Sequence, residues 1–96
     1  MQLSSPIVGT NFRPIDAQTR KANLVEGENL NLVRAPDNPF DSNAIEVHTE
    51  DGHFIGFIPK NINTDLAAAL DAGASHVALW HTDTQRLAIS TDPAAE

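Results

Sequence analysis

Polar and apolar residues alternate along Asn29-Leu30-Asn31-Leu32-Val33-Arg34, which predicts a half-buried strand with its leucines inward. The same period returns over Asn43–Thr49, where Ile45 and Val47 point one way and Glu46 and His48 the other. β-rich residues from Ser5 to Arg13 predict a further strand, with Gly9 marking a bulge or a close backbone approach. His53–Ile58 reads as the return strand of a hairpin, stopped by Pro59. Ser75–His81 and Gln85–Ser90 read as a second hairpin, turned at Thr82-Asp83-Thr84. In Ser75–His81, Val77 and Leu79 share one face, and Trp80 on the other is expected in the core.

The first hairpin has two candidate registers. A two-residue Asp51-Gly52 turn places Phe54 and Ile58 on the Val47 face. A three-residue Glu50-Asp51-Gly52 turn, with Gly52 left-handed, places Ile55 and Phe57 there, and is favoured because it pairs Val47 with Ile55 and Ile45 with Phe57. A slip of one residue exchanges the faces.

Helical spacing is clear only over Asn61–Ala72, where Leu66, Ala69 and Leu70 recur. Asn63 or Thr64 supplies the N-cap, Asp65 meets the positive end of the helix, and Gly73 closes it. Pro14–Asn23 is polar and irregular and reads as a loop. The sum is about six strands and one main helix, an α+β chain that is mainly β and forms a small curled sheet or barrel. At 96 residues the chain is expected to be one domain, 1–96, with a core from about 5 to 90 and a frayed tail at 91–96.

Charge changes the picture. Thirteen acids against six bases give a net charge of −7, which disfavours a non-specific duplex binder. Arg13, Arg20, Lys21, Arg34 and Lys60 lie in the first 60 residues, and only Arg86 follows. Any anion site is therefore expected in the first part. The absence of cysteine excludes disulfides, thiol catalysis and cysteine-ligated zinc. No apolar run of about 18–20 residues and no basic-then-apolar leader is found, so a cytoplasmic location is the default expectation.

The most specific stretch is Asp37-Asn38-Pro39-Phe40-Asp41-Ser42-Asn43-Ala44-Ile45-Glu46. Pro39 presets a turn, and Asn38, Asp41 and Asn43 either pin the loop to its own backbone or face a ligand. Phe40 either plugs a barrel end or stands ready to stack. Glycine-rich phosphate loops, nucleophile elbows and helical His-Glu-x-x-His are absent from the sequence, and no complete catalytic constellation is found, so the chain is read as a non-enzyme. His48 and His53 flank the hairpin near Glu46 and Glu50, but a structural zinc site needs four fixed ligands. No metal or cofactor is expected. His76 and His81 are expected on opposite sides of their strand, in solvent.

Val8-Gly9-Thr10-Asn11-Phe12, Leu30-x-Leu32-x-Arg34, Asn38-Pro39-Phe40-Asp41-x-Asn43-Ala44-Ile45-x-Val47, Ile55-Gly56-Phe57-Ile58-Pro59 and Asp71-Ala72-Gly73 together resemble the HIRAN domain. The resemblance runs from about residue 5 to 90. It implies a modified OB-like barrel that binds a single-stranded DNA 3′ end, in a family found on helicases that handle stalled forks and as free-standing bacterial and viral domains. DNA repair or fork processing is the implied setting. By position, Phe40 and Phe12 match rings that sandwich the terminal base, Asp41 matches the aspartate that binds the 3′-hydroxyl, and Lys60 matches a phosphate-binding lysine.

Arg13 and Arg34 join the candidate set because they adjoin the two motif strands, and Asn11 and Asn38 complete it. The chain departs from the family pattern in places. Its rings are phenylalanines where DNA-binding members usually carry tyrosine, Asn11 stands at an arginine position, Ser42 stands where a lysine can occur, and Phe57 replaces a polar residue. These changes imply weak, salt-sensitive binding of a single-stranded DNA end. The rival expectation is a protein-interaction adaptor that uses the acidic surface and has no DNA affinity. An exposed sheet edge could also self-pair.

Overall fold

The computed structural model describes residues 1–93. Six strands form one antiparallel sheet: β1 (Gln2–Ser5), β2 (Asn29–Arg34), β3 (Ile45–Thr49), β4 (Phe54–Phe57), β5 (Ser75–His81) and β6 (Arg86–Asp92). Their order across the sheet is β1-β6-β5-β2-β3-β4. The sheet curls into a half-barrel around Leu30, Leu32, Ile45, Val47, Ile55, Ile58, Trp80, Leu87 and Ile89. The leucines of β2 and the isoleucine and valine of β3 face inward as the alternation predicts. Trp80 is buried beside Ala78, which leaves Val77 and Leu79 on the outer face of β5.

The expected strand over Ser5–Arg13 is replaced by three pieces. β1 ends at Ser5, Val8 forms an isolated bridge to Phe57, and Thr10–Phe12 makes a 3-10 turn. Pro6 lacks an amide for the ladder, and Gly9 takes a left-handed φ of +76° to start the turn. The Val8 bridge is reciprocal, with N–H···O distances of 2.9 and 2.8 Å to and from Phe57. One short N-terminal stretch thus pairs with β6 at one edge and touches β4 at the other.

Pro14–Asn23, expected as a loop, contains helix α1 (Ile15–Ala22). Only Ala17 is buried there, so the apolar period that advertises a helix is missing. Its ends follow helix chemistry: Pro14 precedes the first turn, Asp16 lies in that turn, and Arg20 and Lys21 occupy the last. α1 packs beside β4.

The hairpin has the three-residue turn that was favoured: Thr49 N–H donates to His53 O at 2.9 Å, and Gly52 has φ +96°. The favoured pairing beyond it does not hold. A bulge shifts the register, so His48 faces Phe54 but Val47 faces Gly56 and Glu46 faces Phe57. Ile55 and Ile58 therefore reach the core, one from each candidate register, and Phe54 and Phe57 stay outside. Gly56 is required by a close approach: a Cβ there would lie 2.6 Å from both Ile7 Cγ2 and Val8 O.

The expected helix is α2 (Thr64–Asp71). It closes as foreseen, with Gly73 at φ +89°, Gly73 N–H on Leu70 O and Ala74 N–H on Ala69 O, the double bond of a Schellman motif. The tail expected to fray from residue 91 is instead strand at Thr91 and Asp92, paired with His76 and Ser75. The expectation for residues 94–96 lies outside the described residues. Among the described residues no helix is long and apolar enough to cross a membrane.

Candidate functional site

The loop between β2 and β3 is shaped by its own polar side chains. Asn38 Oδ1 accepts from the amides of Phe40 and Asp41 at 2.9 and 3.2 Å. Asp41 Oδ1 accepts from the Asn43 amide at 2.9 Å. Both residues pin the loop, as one reading of the sequence expected. Because Asn38 bends the chain immediately before it, Phe40 projects outward and is 86% exposed. It is not a barrel plug.

Beneath the loop lies an open groove of about 410 Å³. Val8, Ala44, Phe57 and Ile58 form its apolar floor, and Asn38, Phe40, Asp41 and Lys60 its rim. The Val8–Phe57 bridge brings the floor together. Lys60 follows β4 and leans over the loop, with Nζ 3.5 Å from Phe40 O. The groove thus offers an exposed ring, a carboxylate and an ammonium on one opening.

Asp41 stays ionised more readily than an ordinary aspartate. The Asn63 amide, donating to Oδ2 at 2.8 Å, is the main cause, followed by the Asn43 amide; Lys60 and Arg34 add a smaller attraction. The sequence marks Asn63 only as a helix cap. It makes no cap bond. No local pattern announces its contact with a loop residue 22 positions away.

The remaining candidates are placed differently. Phe12 is 84% exposed on the 3-10 turn but is not among the groove-lining residues. Asn11 is exposed beside it, and its carbonyl accepts from Gln18 Nε2. The Arg13 guanidinium lies 3.7 Å over the Phe54 ring, and its Nε donates to Phe54 O at 3.1 Å. Arg34 serves the loop from below: Nη1 donates to Ala44 O at 2.7 Å, Nη2 to Ser42 O at 2.9 Å, and the fork holds Asp71. A phosphate would have to displace these partners. Lys60 is the one cation of the set on the groove itself.

The histidines are mostly paired with carboxylates. His48 meets Glu46 at 2.8 Å and stacks on Phe54, and His53 lies 3.5 Å from Asp51. His76, expected in solvent, is half-buried, and its Nε2 accepts the Leu32 amide at 3.0 Å. Donor atoms of Glu26, His81 and Asp83 lie within 4.8 Å of one another. There Glu26 already binds His81 Nδ1 at 2.7 Å and the Thr82 amide at 2.9 Å.

Residues 2–92 match the HIRAN domain family. The crystal structure of the HIRAN domain of human HLTF superposes with a TM-score of 0.75 at 23% identity, covering 94% of this chain and 74% of that one. A crystal structure of a Lactobacillus plantarum protein superposes with a TM-score of 0.77 at 25% identity, covering 93% and 89%. A search of curated proteins finds no match.

Proposed function

Since this chain belongs to the HIRAN domain family, we propose that it is a nucleic-acid-binding module whose groove receives the end of a single DNA strand. Family membership supports the general reading, nucleic-acid binding. The observation that carries the finer one is the pairing of Phe40 and Asp41: consecutive residues, an exposed ring and a held carboxylate, on one groove with Lys60. In this proposal the terminal base lies on Phe40 against the apolar floor, since every base has a face that can stack. Asp41 accepts a hydrogen bond from the free 3′-hydroxyl, a contact strengthened by its charge. The same charge repels a phosphate, so a strand that continues or ends in phosphate is rejected. Lys60 meets the neighbouring phosphate. Phe12, exposed on the 3-10 turn, borders the path of the strand with Asn11, Arg13 and Asn38. The module carries out no reaction of its own in this reading, and DNA end processing is its setting.

Labelled single-stranded DNA ending in 3′-hydroxyl or in 3′-phosphate tests the proposal at low salt. Preference for the hydroxyl supports it; equal affinity or no binding overturns it. The acidic balance of the chain, −7, favours one rival, an adaptor for a basic protein partner. That reading requires no affinity for either oligonucleotide.

A further inference from the structure

Asn63 sits at the N-cap of α2, where an asparagine ordinarily turns its side chain onto the helix's own amides. It makes no such bond here. Its Nδ2 reaches across to Asp41 Oδ2 at 2.8 Å, from a residue only 1% exposed. A carboxylate offers acceptors alone, so the orientation of the amide is settled: nitrogen toward Asp41, oxygen away. That oxygen, Oδ1, is buried and has no hydrogen-bond partner among the described residues. A buried acceptor left unpaired is costly, and the cap is forgone as well. Both losses fall on a residue whose single side-chain bond goes to the acid on the groove rim.

We infer that Asn63 is a positioning residue that fixes the Asp41 carboxylate for recognition of a strand end; this rests on the reading proposed above. The two oxygens of Asp41 are held from different elements. Oδ1 takes the Asn43 amide of its own loop, and Oδ2 takes Asn63 from the start of α2. With both oxygens tethered the carboxylate plane cannot turn freely. Each oxygen keeps a second lone pair for an incoming hydroxyl. An acceptor already oriented spares the ordering cost on binding.

NMR on the intact chain tests this without ligand. In the wild-type protein the Asn63 side-chain amide signals should shift with the same midpoint as the Asp41 carboxyl carbon. In Asn63→Ala the Asp41 midpoint should rise toward the ordinary aspartate value, and in Asn63→Asp it should rise further, since two carboxylates would then face each other. Preference for 3′-hydroxyl over 3′-phosphate DNA should fall about tenfold in Asn63→Ala, the loss expected when a charged acceptor is no longer held. If Asn63→Ala fails to fold, the wild-type amide titration still decides. Asn63 signals that ignore Asp41, or an Asp41 midpoint unmoved by the substitutions, overturn the inference. If both titrations behave as expected while wild-type protein binds neither oligonucleotide, the Asn63–Asp41 coupling stands and the strand-end reading falls.

Discussion

Arg34 and Asp71 are joined by two parallel hydrogen bonds, Nε to Oδ1 at 2.9 Å and Nη2 to Oδ2 at 3.1 Å. The guanidinium also holds the carbonyls of Ser42 and Ala44, so one side chain ties the end of α2 to the base of the Phe40 loop. Arg34→Ala should therefore loosen that loop. Thermal unfolding should begin roughly 4–8 °C lower, and the amides of residues 35–44 should exchange faster. Arg34→Lys should recover little, because an ammonium cannot span two oxygens and two carbonyls at once. Asp71→Asn should cost less than Arg34→Ala, since Asp71 is largely solvent-exposed.

Phe40 and Lys60 should separate the two components of binding. Phe40→Ala removes an exposed ring and should leave stability unchanged, while weakening DNA binding by about 1–3 kcal/mol. The dependence of affinity on salt should stay as it was. Lys60→Ala should instead flatten that dependence by about 0.7 in the slope of log K against log salt, the loss of one phosphate contact to a single strand. Fluorescence anisotropy at several salt concentrations measures both.

Gly56→Ala should destabilise the fold. The added methyl meets the Val8 carbonyl and Ile7 at 2.6 Å, and the carbonyl is held by its bridge to Phe57. Overpacking of this kind costs about 1–3 kcal/mol. Because Val8 and Phe57 also form the groove floor, the variant should lose DNA affinity in parallel. Urea denaturation with a binding titration checks both.

Stability should fall with acid in two stages. His76 is held below its ordinary value of 6.5 by burial, and its neutral ring accepts the Leu32 amide. The unfolded chain therefore takes up this proton first, so the contribution is complete above 6.5 and declines as pH falls through the lowered folded value. His76→Gln should flatten this first stage. The carboxylates follow: Thr49 and then Arg20 hold Asp51 down to about 2, Asn63 holds down Asp41, Arg34 holds down Asp71, and Arg20 holds down Glu28. All are depressed, so their contribution is present above the ordinary values of 3.8 and 4.5 and is lost as pH falls toward 2. Melting temperatures between pH 8 and 2.5 reveal both stages.

Strands with a strict period, such as Leu30-x-Leu32 and Ile45-x-Val47, were legible because one face is buried and the other is not. α1 was hidden because a helix that buries only Ala17 leaves no apolar period to read. The β3–β4 faces were half legible. The turn followed from Gly52, but the bulge opposite Val47 and His48 depends on Gly56 admitting the Val8 backbone, a contact between distant segments. The site divides in the same way. Asn38, Phe40 and Asp41 are neighbours in sequence, and Lys60 joins them through the hairpin. Arg34 and Arg13 lay near the motif strands as read, yet their bonds to Asp71 and Phe54 come from tertiary packing. Asn63 was invisible as a partner of Asp41 because its local position spoke only of capping.

Whether Phe40 and Asp41 receive a free strand end in one groove is decided by ¹H–¹⁵N NMR with a short single-stranded DNA bearing a 3′-hydroxyl. The expected shifts gather on Asn38, Phe40, Asp41, Phe57 and Lys60, and an otherwise identical 3′-phosphate strand binds at least about tenfold more weakly. Equal binding of the two strands, or shifts centred on another surface, would mean that this groove does not read a free 3′ end.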